Sequence, residues 1–237
     1  MPEPTIAPLG LAGRLVSFGD ALTEPANRAA LAFRGALERE GWEGIEETSV
    51  SLTGVYVRMD PDHPDPGSIT AKVETLLADR DWYEAPMPEG RRLWTVPCVF
   101  GQGLAPQWDE AREMAGLSES EAIRSLTEAP FRIITLGYAP GQPYIGTLPE
   151  PWDLPRQKAL TPKVPQSALV VAIRQLVVFA NEMPTGWRHI GQTRFRPFMA
   201  EADDPFSWRP GDEVRLMPVT PEQLENVTGR GGEARPL

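Results

Sequence analysis

Seven prolines fall within the 26 residues from Pro140 to Pro165, and this segment constrains the fold of the chain more than any other feature. Proline has no backbone N–H and fixes its own φ, so neither a helix nor a central strand is expected to run through such a segment. A connection of this length without regular structure is usually functional. Because Tyr144, Trp152 and Arg156 lie among the prolines, we predict a rigid, shaped loop.

Before this loop, residues 1–91 alternate between strand and helix patterns. The predicted elements are, in order, a strand at Arg14–Phe18, a helix from Thr23 to Gly41, a hairpin of strands Ile45–Ser51 and Val55–Met59, and a helix capped by Ser68; a further strand follows just beyond them at Leu93–Val99. Capping residues, stop glycines and β-branched runs are the signals for these elements. Their order, β-α-β-β-α-β, predicts a small N-terminal domain over residues 1–91 with the ferredoxin-like arrangement.

Strand patterns dominate residues 92–237. Two helices are predicted first, at 106–115 and 118–126, and short strands follow at 131–138, 168–173, 176–180, 187–190, 195–198 and 213–219. Short strands at these intervals are typical of a barrel or a sandwich. We therefore expect an α+β protein with a mostly β second domain over residues 92–237. Its last residues, 222–237, are rich in glycine and charge and are predicted to be a frayed tail.

The charge and residue usage of the chain exclude several classes of function. Lys plus Arg is 23 against 33 for Asp plus Glu, which gives a net charge of −10 and argues against nucleic acid or an anionic membrane as a partner. One cysteine, Cys98, and two histidines, His63 and His189, leave no metal site to expect. The first residues show no secretory leader, and no apolar run is long enough to span a bilayer, so a cytoplasmic protein is predicted.

The familiar catalytic motifs are absent from this sequence. It contains no G-x-x-x-x-G-K-[ST] phosphate loop, no G-x-S-x-G elbow, no H-E-x-x-H and no C-x-x-C. His189 is a candidate general base, but it lies in a strand-like run, where a structural role is the commoner one. Cys98 lies in an apolar run and is expected to be a small buried hydrophobic residue.

Several longer strings are more specific. Residues 136–150, L-G-Y-A-P-G-Q-P-Y-I-G-T-L-P-E, closely resemble the L-G-F-A-P-G-F-P-Y-L-G-G-L-P signature of the family formed by the B-type subunit of 5-oxoprolinase, also called allophanate hydrolase subunit 1. Residues 186–193 match its G-W-x-x-I-G-x-T, and residues 209–214 match its R-P-G-D-x-V. Shorter matches extend the resemblance over residues 9–219, including Phe18-Gly19-Asp20 and Asn27-Arg28.

This resemblance implies a fold, partners and a reaction. The family has a small α/β N-terminal domain followed by a cyclophilin-like β-barrel. Its members act with the C-type 5-oxoprolinase protein (allophanate hydrolase subunit 2) and with the A-type 5-oxoprolinase protein. Together they convert 5-oxoproline and ATP to glutamate, ADP and phosphate, with the lactam oxygen activated by phosphate before the ring is hydrolysed. ATP is thus the implied cofactor of the assembled complex. A branch of the family, KipI-like, instead binds and inhibits a histidine kinase.

The sequence also departs from the family pattern. Leu52 and Thr53 replace a segment that commonly carries an arginine, and Leu126 replaces a common histidine. Gln142 stands where phenylalanine is usual, and residues 173–177 replace a glycine-rich stretch, of which only Gln175 matches as a polar residue. Since each charge-assisted hydrogen bond lost from a site costs about 1.5–3 kcal/mol, such changes are able to abolish turnover.

Two functions therefore remain open: a non-autonomous subunit of an ATP-dependent 5-oxoprolinase or related amide hydrolase, and a binding or regulatory protein that has lost the chemistry. No catalytic residue is assigned. Arginines offer a planar fork to a carboxylate or phosphate, glycine-proline turns expose backbone N–H groups, and aromatic rings stack on ligands, although each of these residues also has ordinary structural uses. The candidate substrate-binding residues are Arg132, Pro140, Gly141, Pro143, Tyr144, Arg156, Gln175, Gly186 and Trp187.

Overall fold

The computed structural model describes residues 1–237, and the chain divides into two compact units, Met1–Gly90 and Arg91–Leu237. None of its helices combines the length and the apolar character needed to cross a bilayer.

The first unit is a four-stranded antiparallel sheet with two helices. Its elements are β1 Thr5–Leu9, β2 Gly13–Ser17, α1 Glu24–Glu40, β3 Ile45–Ser51, β4 Gly54–Met59 and α2 Pro66–Ala78. The strand order in the sheet is β1-β2-β4-β3. The core between sheet and helices is centred on an aromatic group in which the Phe33 ring lies 5.7 Å from that of Phe18 and 5.1 Å from that of Trp82.

The predicted ends of α1 are confirmed, and the predicted start of α2 is wrong. The Thr23 side chain accepts a hydrogen bond from the Ala26 N–H, and Gly41 ends α1 in the left-handed region at φ 58°. Helix α2 is capped by Asp65, whose Oδ1 accepts from the N–H of Ser68 at 3.1 Å. Ser68 itself lies inside the helix, because Pro66 has a preset φ and starts the helix earlier.

The ferredoxin-like arrangement is not confirmed. The strand predicted at Leu93–Val99 belongs to the second unit as part of β5, Arg92–Phe100, and β1 instead lies at the edge of the small sheet beside β2. Strand β5 is largely buried along nine residues and pairs with strands on both of its sides. Such a strand is more extensively buried in a barrel than at the edge of a small sheet.

The second unit is built on a closed barrel of seven strands, which confirms the predicted barrel and the α+β class. The remaining barrel strands are β6 Phe131–Leu136, β7 Pro143–Gly146, β9 Ala168–Ala172, β10 Gln175–Val178, β12 Arg188–Gln192 and β13 Glu213–Pro218. The order around the barrel is β12-β9-β10-β7-β6-β13-β5, and β5 pairs with β12 to close it. Gly191 lies in this closing pair and is tightly packed, since a Cβ atom there would lie 2.7 Å from Cys98 Sγ.

The other elements of the second unit cover the barrel. These are α3 Trp108–Met114, α4 Glu119–Thr127, a 3₁₀ helix at Glu150–Trp152, β8 Thr161–Val164, β11 Met183–Thr185, α5 Pro221–Glu225 and β14 Glu233–Pro236. Ser118 caps α4 with the reciprocal capping box that its spacing with Glu121 predicts. The predicted strand at 195–198 is reduced to one isolated bridge between Phe198 and Phe206.

Three barrel strands are buried on both faces. In β9, Leu169 and Val171 point into the barrel core, whereas Ala168, Val170 and Ala172 belong to a separate apolar cluster on the outer face. The same alternation holds in β7 and β10. The two-stranded sheet of β8 and β11 supplies Val164 and Met183 to the outer cluster, so it covers this side of the barrel.

The proline-rich segment is more regular than predicted. It contains β7, a central barrel strand, and β8, a strand of the covering sheet. Pro143 is the first residue of β7, a position where a missing N–H is tolerated, and Pro162 lies on a two-stranded sheet with free edges. The prolines thus exclude α-helices from the segment but permit two strands and a 3₁₀ helix at Glu150–Trp152.

The frayed tail predicted at residues 222–237 is also wrong. Thr220 and Gln223 form a second capping box that starts α5, and β14 pairs with β5 in the register Glu233↔Thr95. At Gly231 a Cβ atom would lie 2.2 Å from the Arg194 carbonyl oxygen, so the glycine allows close packing of this segment. Glycine and charge here mark an ordered but exposed edge strand, preceded by closely packed glycines.

The R-P-G-D motif holds the barrel together through one buried carboxylate. Asp212 is 1% exposed. Its Oδ2 accepts from Arg92 Nη2 at 2.6 Å, from the Arg209 N–H at 3.1 Å and from Trp94 Nε1 at 3.3 Å, while Oδ1 accepts from the Arg92 N–H at 3.0 Å. A buried charge that is paired and fully hydrogen-bonded in this way ties β5 to the turn before β13.

The turn between β9 and β10 places two residues other than glycine in the left-handed region. Ile173 has φ 45° and Arg174 has φ 59°, which is the backbone of a two-residue hairpin turn of type I′. Glycine or asparagine adopts this backbone readily, whereas isoleucine, which is branched at Cβ, adopts it at a cost in free energy. Hydrogen bonds from the Ile173 N–H to the Leu154 carbonyl and from Arg174 Nε to the Leu148 carbonyl hold the turn in place.

We expect Ile173→Gly to be more stable than Ile173→Ala by about 1 kcal/mol in free energy of unfolding, because both variants lose the same partly exposed side chain but only glycine relieves the positive φ. Urea denaturation of the two variants measures the difference. An alanine variant as stable as the glycine variant would contradict the left-handed turn.

Candidate functional site

A cavity of about 360 Å³ lies on the outer face of the barrel beside the covering sheet. This volume is in the range of small-molecule sites. The lining is largely aromatic and polar without acidic groups. The lining residues are Tyr138, Gln142, Tyr144, Arg156, Gln157, Leu160, Val177, Phe179, Met183, Pro184, Thr185, Gly186 and Trp187. The barrel interior, in contrast, is filled by packed apolar side chains.

Two aromatic rings and one arginine form the wall of the cavity. Tyr144, on β7, meets Trp187, just before β12, edge to face with ring centroids 6.0 Å apart. The Arg156 guanidinium lies over the Trp187 ring, 5.6 Å from its centroid. Stacking on an aromatic face orients a guanidinium while its N–H donors stay free for a ligand. Arg156 is the only charged side chain that lines the cavity.

Gly186 lets the loop that carries Arg156 approach β12. Its carbonyl accepts from the Gln157 N–H at 2.7 Å, and a Cβ atom there would lie 3.3 Å from the Gln157 carbonyl oxygen. The Gln157 amide is fully used: Nε2 donates to the Trp187 carbonyl at 3.0 Å, and Oε1 accepts from Gln107 Nε2 at 2.7 Å. Gln107 Oε1 accepts in turn from the His189 N–H at 2.8 Å.

Gln142 differs from Gln157 in having no partner for its amide. The side chain is 3% exposed, its Oε1 is buried without a hydrogen bond, and Nε2 has no protein acceptor. Its backbone is nevertheless held, since its N–H donates to the Ala139 carbonyl and its carbonyl accepts from the Gly137 N–H, both at 3.0 Å. The turn thus fixes the residue in the cavity wall and leaves its amide unused.

The structure brings four of the nine predicted site residues together. Tyr144, Arg156, Gly186 and Trp187 line the cavity. The other five do not: Arg132 lies on β6, Pro140 is exposed in the turn before β7, Gly141 packs against residue 197, Pro143 starts β7 and Gln175 starts β10. Neighbours in the signature strings therefore separate in space, because alternate strand residues face opposite sides.

Several lining residues are not among those predicted from the sequence. Val177 of β10 and Phe179, the residue after it, belong to the same outer cluster, and their alternation with the barrel core indicates a site only once it is known that the outer face is covered. Tyr138 is 82% exposed with φ 72°, which places it at the rim. In the sequence, Gln142 stands out only because it departs from the family signature, and Gln157 only because it follows Arg156.

The two other groups considered for chemistry lie outside the cavity. Burial destabilises the imidazolium and lowers the pKa of His189, although the Gly191 backbone and the Gln192 side chain act in the opposite direction. Cys98 is fully buried in the barrel core, and this burial raises the pKa of its thiol far above the usual range. Both residues behave as structural groups.

A family model of the carboxyltransferase domain, subdomain C and D, matches residues 4–208. The chain belongs to this family. The match covers both units and includes every residue that lines the cavity.

Two curated relatives of this carboxyltransferase-domain protein are named as the B-type subunit of 5-oxoprolinase. The protein from Bacillus subtilis (strain 168) is 26% identical over 91% of this chain and 92% of its own length. The protein from Escherichia coli O157:H7 is 33% identical over 57% of this chain and 62% of its own length.

Solved structures resemble the carboxyltransferase-domain fold as part of larger chains. TTHA0988 matches with a TM-score of 0.74 and 25% identity over 88% of this chain, which spans 40% of that chain. The urea amidolyase of Kluyveromyces lactis matches with a TM-score of 0.69 and 16% identity over 98% of this chain, which spans 16% of that chain. The second likeness shows the fold alone.

Gly141→Ala is expected to lower the free energy of unfolding by about 2–4 kcal/mol, since φ is 69° and the new Cβ atom would lie 2.6 Å from the Pro197 carbonyl oxygen. Gly103→Ala is the matched control, because φ is 78° there and nothing lies within 4 Å. This control measures the cost of placing alanine at a positive φ without any clash, about 1 kcal/mol in free energy of unfolding. Equal losses in urea denaturation would show that residue 141 is not closely packed.

His189 should make the protein sensitive to acid. Its pKa is lowered in the folded state, so between that value and the unfolded value near 6.5 the unfolded chain binds more protons, and stability falls as the pH falls. Compared with His189→Gln, the wild type should lose up to about 1.4 kcal/mol of unfolding free energy per pH unit in this window. Denaturation of both proteins from pH 7.5 to 5.5 measures this; parallel profiles would contradict it.

Proposed function

We propose that this chain is a non-autonomous subunit of an ATP-dependent complex that hydrolyses an amide, with 5-oxoproline as the substrate. The family and the two relatives named as the B-type subunit of 5-oxoprolinase support this class of complex. The observation that carries the proposal is the cavity, whose single charged side chain, Arg156, is oriented over the Trp187 ring.

The cavity suits a small anionic ligand. A guanidinium forms two parallel hydrogen bonds with a carboxylate, and the Arg156 guanidinium makes no ion pair with a carboxylate of the protein. The rings of Tyr144 and Trp187 offer apolar area to a compact ring. The role assigned to this chain is thus to bind and orient the carboxylate-bearing amide.

The chemical step requires groups from elsewhere in the complex. No carboxylate, imidazole, thiol or lysine lines the cavity, and the phenols of Tyr138 and Tyr144 are its only side chains of a type used in general acid–base catalysis. We assign these groups to the partners, the C-type and A-type 5-oxoprolinase proteins. A binding site without a carboxylate, imidazole, thiol or lysine of its own is consistent with a subunit that is inactive alone.

The cavity residues do not fit ATP. One arginine is available for a triphosphate that several cations or a run of backbone N–H groups would normally surround. The sequence also has no glycine-rich phosphate loop. In the proposal, ATP therefore binds to the assembled complex outside this cavity.

A binding or regulatory role, with a histidine kinase as partner, is the second candidate. Three of the positions that depart from the family pattern serve the fold here: the Leu52 carbonyl accepts from Asn27 Nδ2 at 2.6 Å, the Thr53 hydroxyl donates to the Gly19 carbonyl at 2.7 Å, and Leu126 is fully buried in the barrel core. Residues committed to packing and turn geometry are not free to act on a substrate.

The deciding measurement is 5-oxoproline-dependent ATP hydrolysis by the cognate partner proteins, expressed once together with this chain and once without it. We expect activity only when it is present. Arg156→Met should raise KM for 5-oxoproline about 10–100-fold with a smaller change in kcat, because a charge-assisted hydrogen bond is lost.

Arg215→Met is the control for this variant, since Arg215 is an exposed arginine of β13 that does not line the cavity. It should leave KM unchanged. A complex that co-purifies intact but hydrolyses no ATP with 5-oxoproline would refute the proposed function and favour the regulatory role.

A further inference from the structure

The unused amide of Gln142 is the most unusual polar group of the cavity. Burying a primary amide without hydrogen bonds is costly, and nearly all buried polar groups in folded proteins have partners. Gln157 in the same cavity has partners at both ends of its amide, whereas Gln142 has none. The cavity therefore contains one buried polar group whose hydrogen-bonding capacity the protein leaves free.

The position of Gln142 makes this capacity available to a ligand. Its backbone is anchored by two hydrogen bonds in the turn between β6 and β7, so the residue cannot move away from the wall. The terminal torsion of a glutamine side chain is broad and roughly two-fold. Gln142 Oε1 is itself out of contact with solvent, so pairing with a ligand requires the side chain to turn, and no side-chain hydrogen bond opposes that rotation.

A primary amide has a specific complement. On one edge it presents the carbonyl oxygen as an acceptor and, beside it, the one N–H that is cis to that oxygen as a donor. The N–H and C=O of a cyclic amide lie on one edge in the same way, because the ring forces that amide to be cis. The two edges pair through two hydrogen bonds, in which Gln142 Oε1 accepts from the ring N–H and Nε2 donates to the ring carbonyl.

We propose that Gln142 is a specificity-determining residue that recognises the cis-amide edge of a lactam whose carboxylate is bound by Arg156. Both residues line the same cavity. The choice of a carboxylate-bearing lactam as ligand rests on the function proposed above. The pairing explains why the cavity keeps a buried amide for which the protein supplies no hydrogen-bond partner.

Calorimetric titration of the full chain, without its partner proteins, tests this inference. The two probes are 5-oxoproline and the lactone 5-oxotetrahydrofuran-2-carboxylate, in which oxygen replaces the ring N–H. The lactone should bind the wild type at least tenfold more weakly, because it leaves Oε1 without a donor.

In Gln142→Met the affinities for the two probes should become nearly equal, because methionine fills a similar volume but makes no amide pair. Gln166→Met is the matched control, since this glutamine is exposed and lies outside the cavity. It should keep the wild-type ratio. Equal affinity of both probes for the wild type, an unchanged ratio in Gln142→Met, or no binding of 5-oxoproline to the chain at millimolar concentration would each overturn the inference.

Thermal unfolding supplies a second readout. Gln142→Met should raise Tm by about 2–4 °C, because it removes an unsatisfied buried amide. A Tm at or below that of the wild type would show that the protein itself uses the amide and would overturn the proposal.

The two proposals fail separately. Lactam binding that depends on Gln142, together with an inactive complex, would support this inference and refute the oxoprolinase function. An active complex whose chain binds the lactam and the lactone equally well would support the oxoprolinase function and overturn this inference.

Discussion

The two-sided burial of β7, β9 and β10 is the constraint on which the rest of the second unit depends. One face of each strand fills the barrel, and the other carries apolar residues such as Val170 and Val177 that also have to be removed from water. The β8–β11 sheet provides that cover. The cavity lies between this cover and the barrel wall, so the candidate site is a consequence of how the outer face is buried.

The signature residues of the family divide into two groups by what they do in this fold. Asp212 collects hydrogen bonds from Arg92, Trp94 and Arg209, and Gly141 and Gly191 allow backbones to approach closely. These residues build the barrel. Tyr144 and Trp187 form a wall of the cavity. A strong match to a signature therefore identifies the fold with more certainty than it identifies a site.

The chemistry of the cavity is that of binding. Its wall combines an oriented cation with a buried amide that has no partner, and it has no carboxylate, imidazole, thiol or lysine. Buried polar groups that the fold leaves unsatisfied are typical of functional sites, where stability is lost in favour of recognition. This combination is consistent with a protein that positions a substrate for groups supplied by a partner.

Local signals in the sequence determined much of the secondary structure. Thr23 and Gly41 bound α1, Ser118 and Glu121 form the capping box of α4, and the short β-branched runs predict a barrel. These predictions hold because capping, turn formation and alternation depend on residues close together in the chain. The signature strings likewise identify the family, since their residue types and spacing are specific.

Only the tertiary structure decided which of these elements share a sheet and which residues share a site. β5 joins the barrel, β14 pairs with it, and the proline-rich segment contributes β7, because burial and backbone hydrogen bonding are satisfied between residues far apart in sequence. The same holds for the cavity. Tyr144, Arg156 and Trp187 are brought together by strand pairing and by covering of the outer face, and no local pattern encodes that proximity.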